Sequence, residues 1–433
     1  MYILSTLEFK HIGALGIMCF LFWLFKVRKP TFYGGVFCLL CVYIPLSSKI
    51  PLNLFPGING LNIFYCILLT TLVKAGKKAP CHSDSVKRSW LLWCMVCGFS
   101  VVVAYLCNDT IYGSPIHVCK RWMDPFFIYL FAKRLVSDED RMAALDGVVM
   151  GTILFSMHLL IQGIDIGDKV RVGGMFDDPN AAAAFIAAYA SVLFSLFINT
   201  RRKILSLICL ILVFVAYFAE LQTVSRGGII GFGVGLLVTS YVTSLNFKLL
   251  IAFIITLMLV FSPSFLPEKV ALRFSGQDMH GLESNEADVS FTTRIEIWHA
   301  AVRMSIFNPL GVGMDSFKER VGEYGGPALR DAHNVYLLVA AETGLLGIVL
   351  FVKLILHLLK RGLAAQKNKE DVISKIAGQA LLGSLAALIF TNFFSVTMRD
   401  MRVFGYIGVL AAIIKILPTN LPIKRKMFNR GGS

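Results

Sequence analysis

"RDAHNVYLLVAAETGLLGIVLF", residues 330–351, opens on four polar side chains, Arg330, Asp331, His333 and Asn334, and then runs into a segment apolar enough for lipid. One carboxylate, Glu342, interrupts that segment. An apolar run of this length reads as a membrane-spanning helix. Ionisable groups in or beside lipid are costly unless they have a partner or a task, so the imidazole at the helix mouth and the acid below it both require an explanation. Glu342 lies nine residues beyond His333, about 14 Å along a helix and about half a turn round, so it is not the direct partner of the imidazole. It is expected to pair with a basic or polar group on a neighbouring span.

Runs of the same kind recur along the 433 residues, of which 56% are hydrophobic and only 16% charged, with 34 Phe and 36 Gly. Soluble domains average about 25% charged residues. The chain therefore reads as all-α, a polytopic integral membrane helical bundle with one large outer loop that contains an interfacial amphipathic helix. The expected spans are 12–27, 32–47, 58–73, 90–107, 121–136, 143–163, 180–198, 203–221, 227–244, 247–262, 334–359, 376–396 and 401–417. That makes about 12–13 spans, several of them short for a bilayer. The implied organisation is an N-terminal bundle over 1–262, a large loop over 263–333, and a C-terminal bundle with a basic tail over 334–433. The first apolar run has no basic region before it and no small-residue cleavage site after it, so a cleavable signal is not expected. Most of the ten cysteines fall in apolar runs, where Cys behaves as a small hydrophobe. The Cys94/Cys97 spacing lacks the second pair that a metal site would need.

The net charge of +15 could suggest nucleic acid, but its distribution explains it differently. Lys and Arg collect in alternate connections: 26–29, 74–88, 133–141, 201–203, Lys248, 360–375 and the tail 423–430. The positive-inside rule puts these, and the C-terminus, on the cytoplasmic side. Nucleic-acid binding then has no place in the account. The connections rich in Gly, Pro, Asn and mixed charge (48–58, 108–120, 164–180, 220–228 and 263–333) all fall on the outer side. Loops as long as the last are usually functional.

Four outer stretches carry candidate chemistry. In "TVSRGGIIGFGVG" (223–235), Arg226 stands at the mouth of a span with five glycines, which permit close approach of a helix or a ligand. In "FTTRIEIWHAAVRMSIFNPLGVGMDSF" (291–317), Thr293 and Glu296 have capping-box spacing, which starts a helix at Arg294. Its apolar face would hold Ile295, Trp298, Val302 and Ile306, suited to the membrane interface, and Pro309 and Gly311 would close it. In "RVGGMFDDPNAAAAF" (171–185), Asp178 or Asn180 can cap the next span, and Arg171 remains as an anion contact. The fourth stretch is the mouth of the opening segment, with His333 and its neighbour Asn334. Arginine offers a permanently charged fork for phosphate oxygens, and histidine ordinarily titrates where a base at neutral pH should. Together they suit a lipid pyrophosphate at the bilayer surface and an acceptor hydroxyl to be deprotonated.

No metal or cofactor is expected. The one D-x-D, Asp138-Glu139-Asp140, falls on the basic side and reads as a solvated turn with an N-cap. Zinc spacings, a P-loop and a nucleophile elbow are not found. Arginines can neutralise a departing pyrophosphate as a metal would.

"SRGG" (225–228), "TRIEIWHAAVRMSIFNPLGVGMDSF" (293–317) and "AHNVYLLVAAETGLLG" (332–347), in this order and spacing, resemble the O-antigen ligase and polymerase superfamily of bacterial envelope enzymes. The resemblance covers roughly residues 170 to 350. It implies a glycosyltransferase of the bacterial inner membrane with a large periplasmic loop and a span count near twelve. Such an enzyme moves a glycan from undecaprenyl pyrophosphate to an acceptor, without metal and with inversion at the sugar carbon. Carried onto this sequence, Arg226 and Arg294 would hold the pyrophosphate and His333 would act on the acceptor hydroxyl, with Arg171, Asn180 and Asn334 assisting. The acceptor would be lipid A core in a ligase, the favoured reading, or a lipid-linked glycan in a polymerase of O-antigen or exopolysaccharide. Membrane lipids are the remaining partner.

A transporter or flippase for the same lipid-linked glycans is the competing class, and it predicts ionisable groups at mid-membrane. Here only His158, Glu220 and Glu342 read that way, and the polar residues crowd one surface. A non-catalytic scaffold is the third reading, and it would tolerate loss of the arginines and His333.

Overall fold

Backbone groups in a bilayer must be satisfied within the protein, so where these helices start is decided by polar residues at the ends of apolar runs. Many starts are capped by a side chain that accepts a backbone N–H, among them Thr31, Asp84, Asp178, Asn334, Asp371 and Asp400. The computed structural model describes residues 20–47, 59–75, 84–107, 115–166, 171–176, 178–241, 291–368 and 370–415. All regular structure among these residues is helical. The expected span at 247–262, the loop part 263–290 and the basic tail at 423–430 lie outside the described residues.

A π-helical turn, Leu24–Arg28, precedes α1 (Phe32–Leu46), α2 (Gly60–Ala75), α3 (Ser85–Cys107), α4 (Pro115–Ala132) and α5 (Asp138–Ile166). Then follow α6 (Pro179–Asn199), α7 (Lys203–Gln222), α8 (Arg226–Tyr241), α9 (Phe291–Phe307), α10 (Phe317–Arg320), α11 (Val335–Lys367), α12 (Val372–Thr391) and α13 (Met401–Ile413). Six of them, within α3, α5, α6, α7, α11 and α12, are long and apolar enough to cross a membrane, and α1, α2 and α13 are shorter apolar helices. The protein is a polytopic helical membrane protein.

The centre is built from small residues. Helices α6, α8 and α12 pack together, with Ala181–Ala188 of α6 buried and Gly235 of α8 against Ser191 and Ala387. Such residues let helix backbones approach in lipid, where no hydrophobic force draws helices together. The described connections sort onto two ends. Asp84, Tyr129, Lys133 and Arg361 meet at one end, as do Arg141, Asp371 and the carbonyl of Ile413. This is the basic end. At the opposite end, the connections before α6, α8, α11 and α13 meet.

Three expectations need correction. Asp138-Glu139-Asp140 is the first turn of α5, and of the expected solvated turn only Asp138 and Glu139 are exposed. Asp140 is buried and accepts hydrogen bonds from the backbone N–H (2.8 Å) and hydroxyl (2.9 Å) of Thr31, because α1 packs its start against it. Second, α9 starts at Phe291, ahead of Arg294, and its buried face carries Ile297, Ala300, Ala301 and Met304. Ile295, Val302 and Ile306 form an exposed stripe, with Trp298 between the two faces. The helix is apolar on two sides, so spacing alone did not say which one packs. Third, α12 ends at Thr391, short of residue 396, because Asn392 turns the chain.

Helix α11 is broken at Gly344, whose φ of +71° departs from the helix. The outer-loop segment 309–313 wedges into the break and replaces the lost bonds: Val312 N–H to Ala341 O (2.9 Å), Gly313 N–H to Glu342 O (3.1 Å) and Leu345 N–H to Pro309 O (3.1 Å). A Cβ on Gly344 would collide with the Pro309 carbonyl, so only glycine fits.

Candidate active site

The turn that delivers Arg226 is tightly made. Thr223 Oγ1 donates to the Glu220 carbonyl (2.7 Å) and accepts from Ser225 N–H (3.2 Å), and Ser225 Oγ accepts from Gly228 N–H (3.3 Å). Val224 is held at φ +52°, a left-handed conformation that a β-branched residue rarely takes. Arg226 emerges exposed at the start of α8, with no hydrogen-bond or ion-pair partner among the described residues. The second glycine of "SRGG" has a steric reason: a Cβ on Gly228 would meet a carboxyl oxygen of Glu220 and the Ala183 side chain. Glu220 is fully buried, and neither carboxyl oxygen has a hydrogen-bond partner.

Beside this turn, Arg171 donates from Nη2 to Asn180 Oδ1 (2.8 Å) and from Nε to the Thr223 carbonyl (3.2 Å). Ser225 Oγ donates to the same Asn180 oxygen at 3.4 Å. Asp178 takes the cap of α6, bonding Asn180 N–H at 2.8 Å, which leaves the Asn180 side chain for Arg171. Arg171 and Asn180, each expected as a substrate contact, are bonded to one another here, beside the turn that carries Arg226.

His333 and Asn334 approach from α11. His333 is half-buried with φ +48°. Asn334 caps α11 through Tyr336 and Leu337 N–H, and its Nδ2 donates to the Phe393 carbonyl (3.3 Å). On the neighbouring residue, a Cβ on Gly227 would stand 3.9 Å from the Cβ of Phe394. The chain neighbours of His333 and of Arg226 thus lie beside two consecutive residues of one turn, Asn334 bonded to Phe393 and Gly227 near Phe394. Arg294 is on α9, one turn before Trp298, which donates from Nε1 to the carbonyl of Ala332 at 3.1 Å.

Several residues that sequence reading passed over hold this end together. Asn392 is fully buried; its carbonyl accepts Val335 N–H (3.0 Å) and its Oδ1 accepts Met398 N–H (2.9 Å). Arg402 bonds Asp400 through Nε and Nη2, donates from Nη1 to the Met175 carbonyl (3.2 Å) and lies 4.2 Å from the Phe176 ring centroid. Asp331 bonds Arg399 at 2.8 Å. Burial works against the Asp331 charge, but Arg399, then Lys318, the Ala332 N–H and His333 hold its carboxyl below the usual range. Arg399, although desolvated, is held charged by Asp331, Glu342 and Asp315. The signal for Asn392, Arg399, Asp400 and Arg402 was the polar run "NFFSVTMRDMR", residues 392–402, partly absorbed into an expected span.

Glu342 is buried away from His333. Its Oε1 accepts Phe317 N–H at 3.4 Å, and Ser100 Oγ donates to its carbonyl at 2.7 Å. The expected partner on a neighbouring span is instead the backbone of the outer loop, beside Arg399. Among the described residues, no group of three or more His, Cys, Asp or Glu is placed to hold a metal ion.

Comparison with known proteins bears on one part of the chain. Residues 221–352 match the family model described as O-antigen ligase. No curated protein matches the chain. The matched stretch begins at the end of α7 and runs past the break in α11, and so contains Arg226, Arg294 and His333. It supports the resemblance to the O-antigen ligase and polymerase superfamily.

Proposed function

We propose, taking the O-antigen ligase match as the premise, that this protein transfers a glycan from undecaprenyl pyrophosphate to an acceptor hydroxyl, as an O-antigen ligase of lipopolysaccharide assembly. The reaction runs at the membrane face opposite the basic end. By the positive-inside rule that face is periplasmic and the membrane is the bacterial inner membrane. His333 takes the proton of the acceptor hydroxyl. The acceptor oxygen then attacks the anomeric carbon from the side opposite the pyrophosphate, whose bond to the sugar breaks with inversion. Arg226 and Arg294 neutralise the charge left on the pyrophosphate, with Arg171, Asn180 and Asn334 shaping the pocket and no metal required.

The observation that carries this reading is the approach of the Arg226 and His333 neighbours to the Phe393–Phe394 turn, with Arg226 exposed and unpartnered among the described residues. Left-handed backbone at both Val224 and His333 adds weight, since strained conformations persist where function holds them. A flippase would instead want charges at mid-membrane, whereas Asp146 of α5 is paired at 2.7 Å to Arg28 of the basic connection 26–29.

The test is a glycan profile from a null strain complemented with Arg226→Ala, Arg294→Ala or His333→Ala. Each is expected to lose the transferred glycan while the protein still accumulates in the membrane. A wild-type profile from His333→Ala and Arg226→Ala would remove both from the mechanism. Purified protein offered a lipid-linked glycan then sorts the acceptor. Product on lipid A core makes it a ligase, and a longer lipid-linked chain makes it a polymerase.

A further inference from the structure

His333 sits at φ +48°, where a side chain other than glycine costs about 1 kcal/mol, so its neighbours must hold it there. On the C-terminal side, Val335 N–H bonds the Asn392 carbonyl and Asn334 bonds the Phe393 carbonyl. On the N-terminal side, Ala332 is fully buried, its carbonyl takes the Trp298 N–H, and its own N–H goes to Asp331 Oδ1 at 2.9 Å. The other Asp331 oxygen receives Arg399 Nη2 at 2.8 Å, with Lys318 Nζ at 3.5 Å. Arg399 ends a short turn, Thr397–Arg399, that Asn392 Oδ1 anchors through Met398 N–H. Its Nη1 lies 3.8 Å from Asp315 Oδ1, which Arg121 of α4 holds at 3.0 Å.

We propose that Arg399 is a positioning residue for His333, acting through Asp331. This rests on the reading of His333 as the base. The pair does two things at once. It fixes the backbone that aims the imidazole, and it sets the imidazole's charge. A bare carboxylate two residues away favours imidazolium, which cannot accept a proton. A guanidinium in contact with that carboxylate offsets it and keeps the ring neutral.

Other charges face this segment. Arg330 is in the segment itself, Lys318 comes from α10, and the elements packed beside it carry Arg294, one turn before Trp298 on α9, and Arg226, next to Gly227 at the start of α8. Asp315 and Glu342 act on Arg399 from the loop and from α11. These stay in place when the pair is altered, so single substitutions at Arg399 and Asp331 should move His333 in opposite directions.

The test reads His333 directly, in the full chain reconstituted in lipid nanodiscs. Diethyl pyrocarbonate modifies only neutral imidazole, and the extent at the His333 peptide, followed by mass spectrometry against pH, gives a midpoint. Arg399→Gln is expected to raise the midpoint by about half a unit or more, and Asp331→Asn to lower it. Arg399→Lys should leave it near that of the unaltered protein, and the double Arg399→Gln/Asp331→Asn should bring it back there. Midpoints unmoved in both single variants, or moved the same way, overturn the proposal. Should Arg399→Gln fail to accumulate, Asp331→Asn, which keeps the oxygen that accepts Ala332 N–H, decides alone. No glycan enters this measurement, so it fails independently of the transfer reading. Opposed shifts with full transfer by His333→Ala would reject the base and keep the pair; a dead His333→Ala with unmoved midpoints would do the reverse.

Discussion

Arg141 at the basic end of the bundle and Arg226 at the other use the same side chain in opposite ways. At the basic end Arg141, 1% exposed, sends Nε to the Ile413 carbonyl, Nη1 to Asp138 and Nη2 to Asp371 and Ser374. Arg361 likewise joins Asp84 and Tyr129 to the Ile414 carbonyl. These cations tie together the starts of α3, α5 and α12 with the ends of α4, α11 and α13. At the opposite end Arg226 is exposed and makes no such tie among the described residues. The same residue type is structure at Arg141 and an available charge at Arg226. The difference lies in burial: a buried guanidinium must be paired, and an exposed one need not be.

The comparison can be broken by substitution, taken here from the largest expected effect down. Arg141→Gln should destabilise the protein by about 3–5 kcal/mol, since it strands Asp371 and a buried carbonyl. Thermal unfolding in detergent checks this, and a loss under about 1 kcal/mol would show that the basic end is not held this way. Arg226→Ala should leave unfolding unchanged within about 0.5 kcal/mol yet cut glycan transfer roughly 100-fold or more. A matching loss of stability would make Arg226 structural, like Arg141.

Asp84 sharpens the contrast through pH. Burial raises its carboxyl, but Arg361 foremost, with Tyr129 and Lys133, lowers it to about 2. The depressed value means its contribution, about 2 kcal/mol, is complete above the unfolded pKa near 4 and is lost as pH falls toward 2. Asp84→Asn should therefore lower stability at pH 7 and flatten the acid limb of the unfolding curve. An unchanged acid limb would separate Asp84 from the network. The smallest effect is expected at Trp298→Phe, about 1 kcal/mol, from loss of the bond to the Ala332 carbonyl. If α9 is fixed by its apolar face alone, hydrogen exchange at residues 291–307 will not change.

Legibility in the sequence divided along similar lines. Arg171 and Asn180 were singled out, and their contact follows from a separation of nine positions across the turn between two spans. The Asp331–Arg399 pair was not visible, because 68 residues and all of α11 and α12 separate its members. The acidic turn at 138–140 read as solvated because its composition is polar, yet α1 buries Asp140. For α9, spacing gave a helix with one apolar face, Ile295, Trp298, Val302 and Ile306, and passed over the second, Ile297, Ala300, Ala301 and Met304, which is the one buried against its neighbours.

The sequence by itself determined the class of molecule, the positions of most of its helices and the sorting of its connections into basic and polar sets. Hydropathy and charge sum over neighbouring residues, so a local reading captures them. The tertiary structure decided the partners: Asn392 and Asp331 as the holders of His333, Glu220 as the reason for Gly228, and the outer loop as the partner of Glu342 in a helix broken at Gly344. Those depend on which distant backbone comes within hydrogen-bond reach, and packing settles that only after every helix is in place.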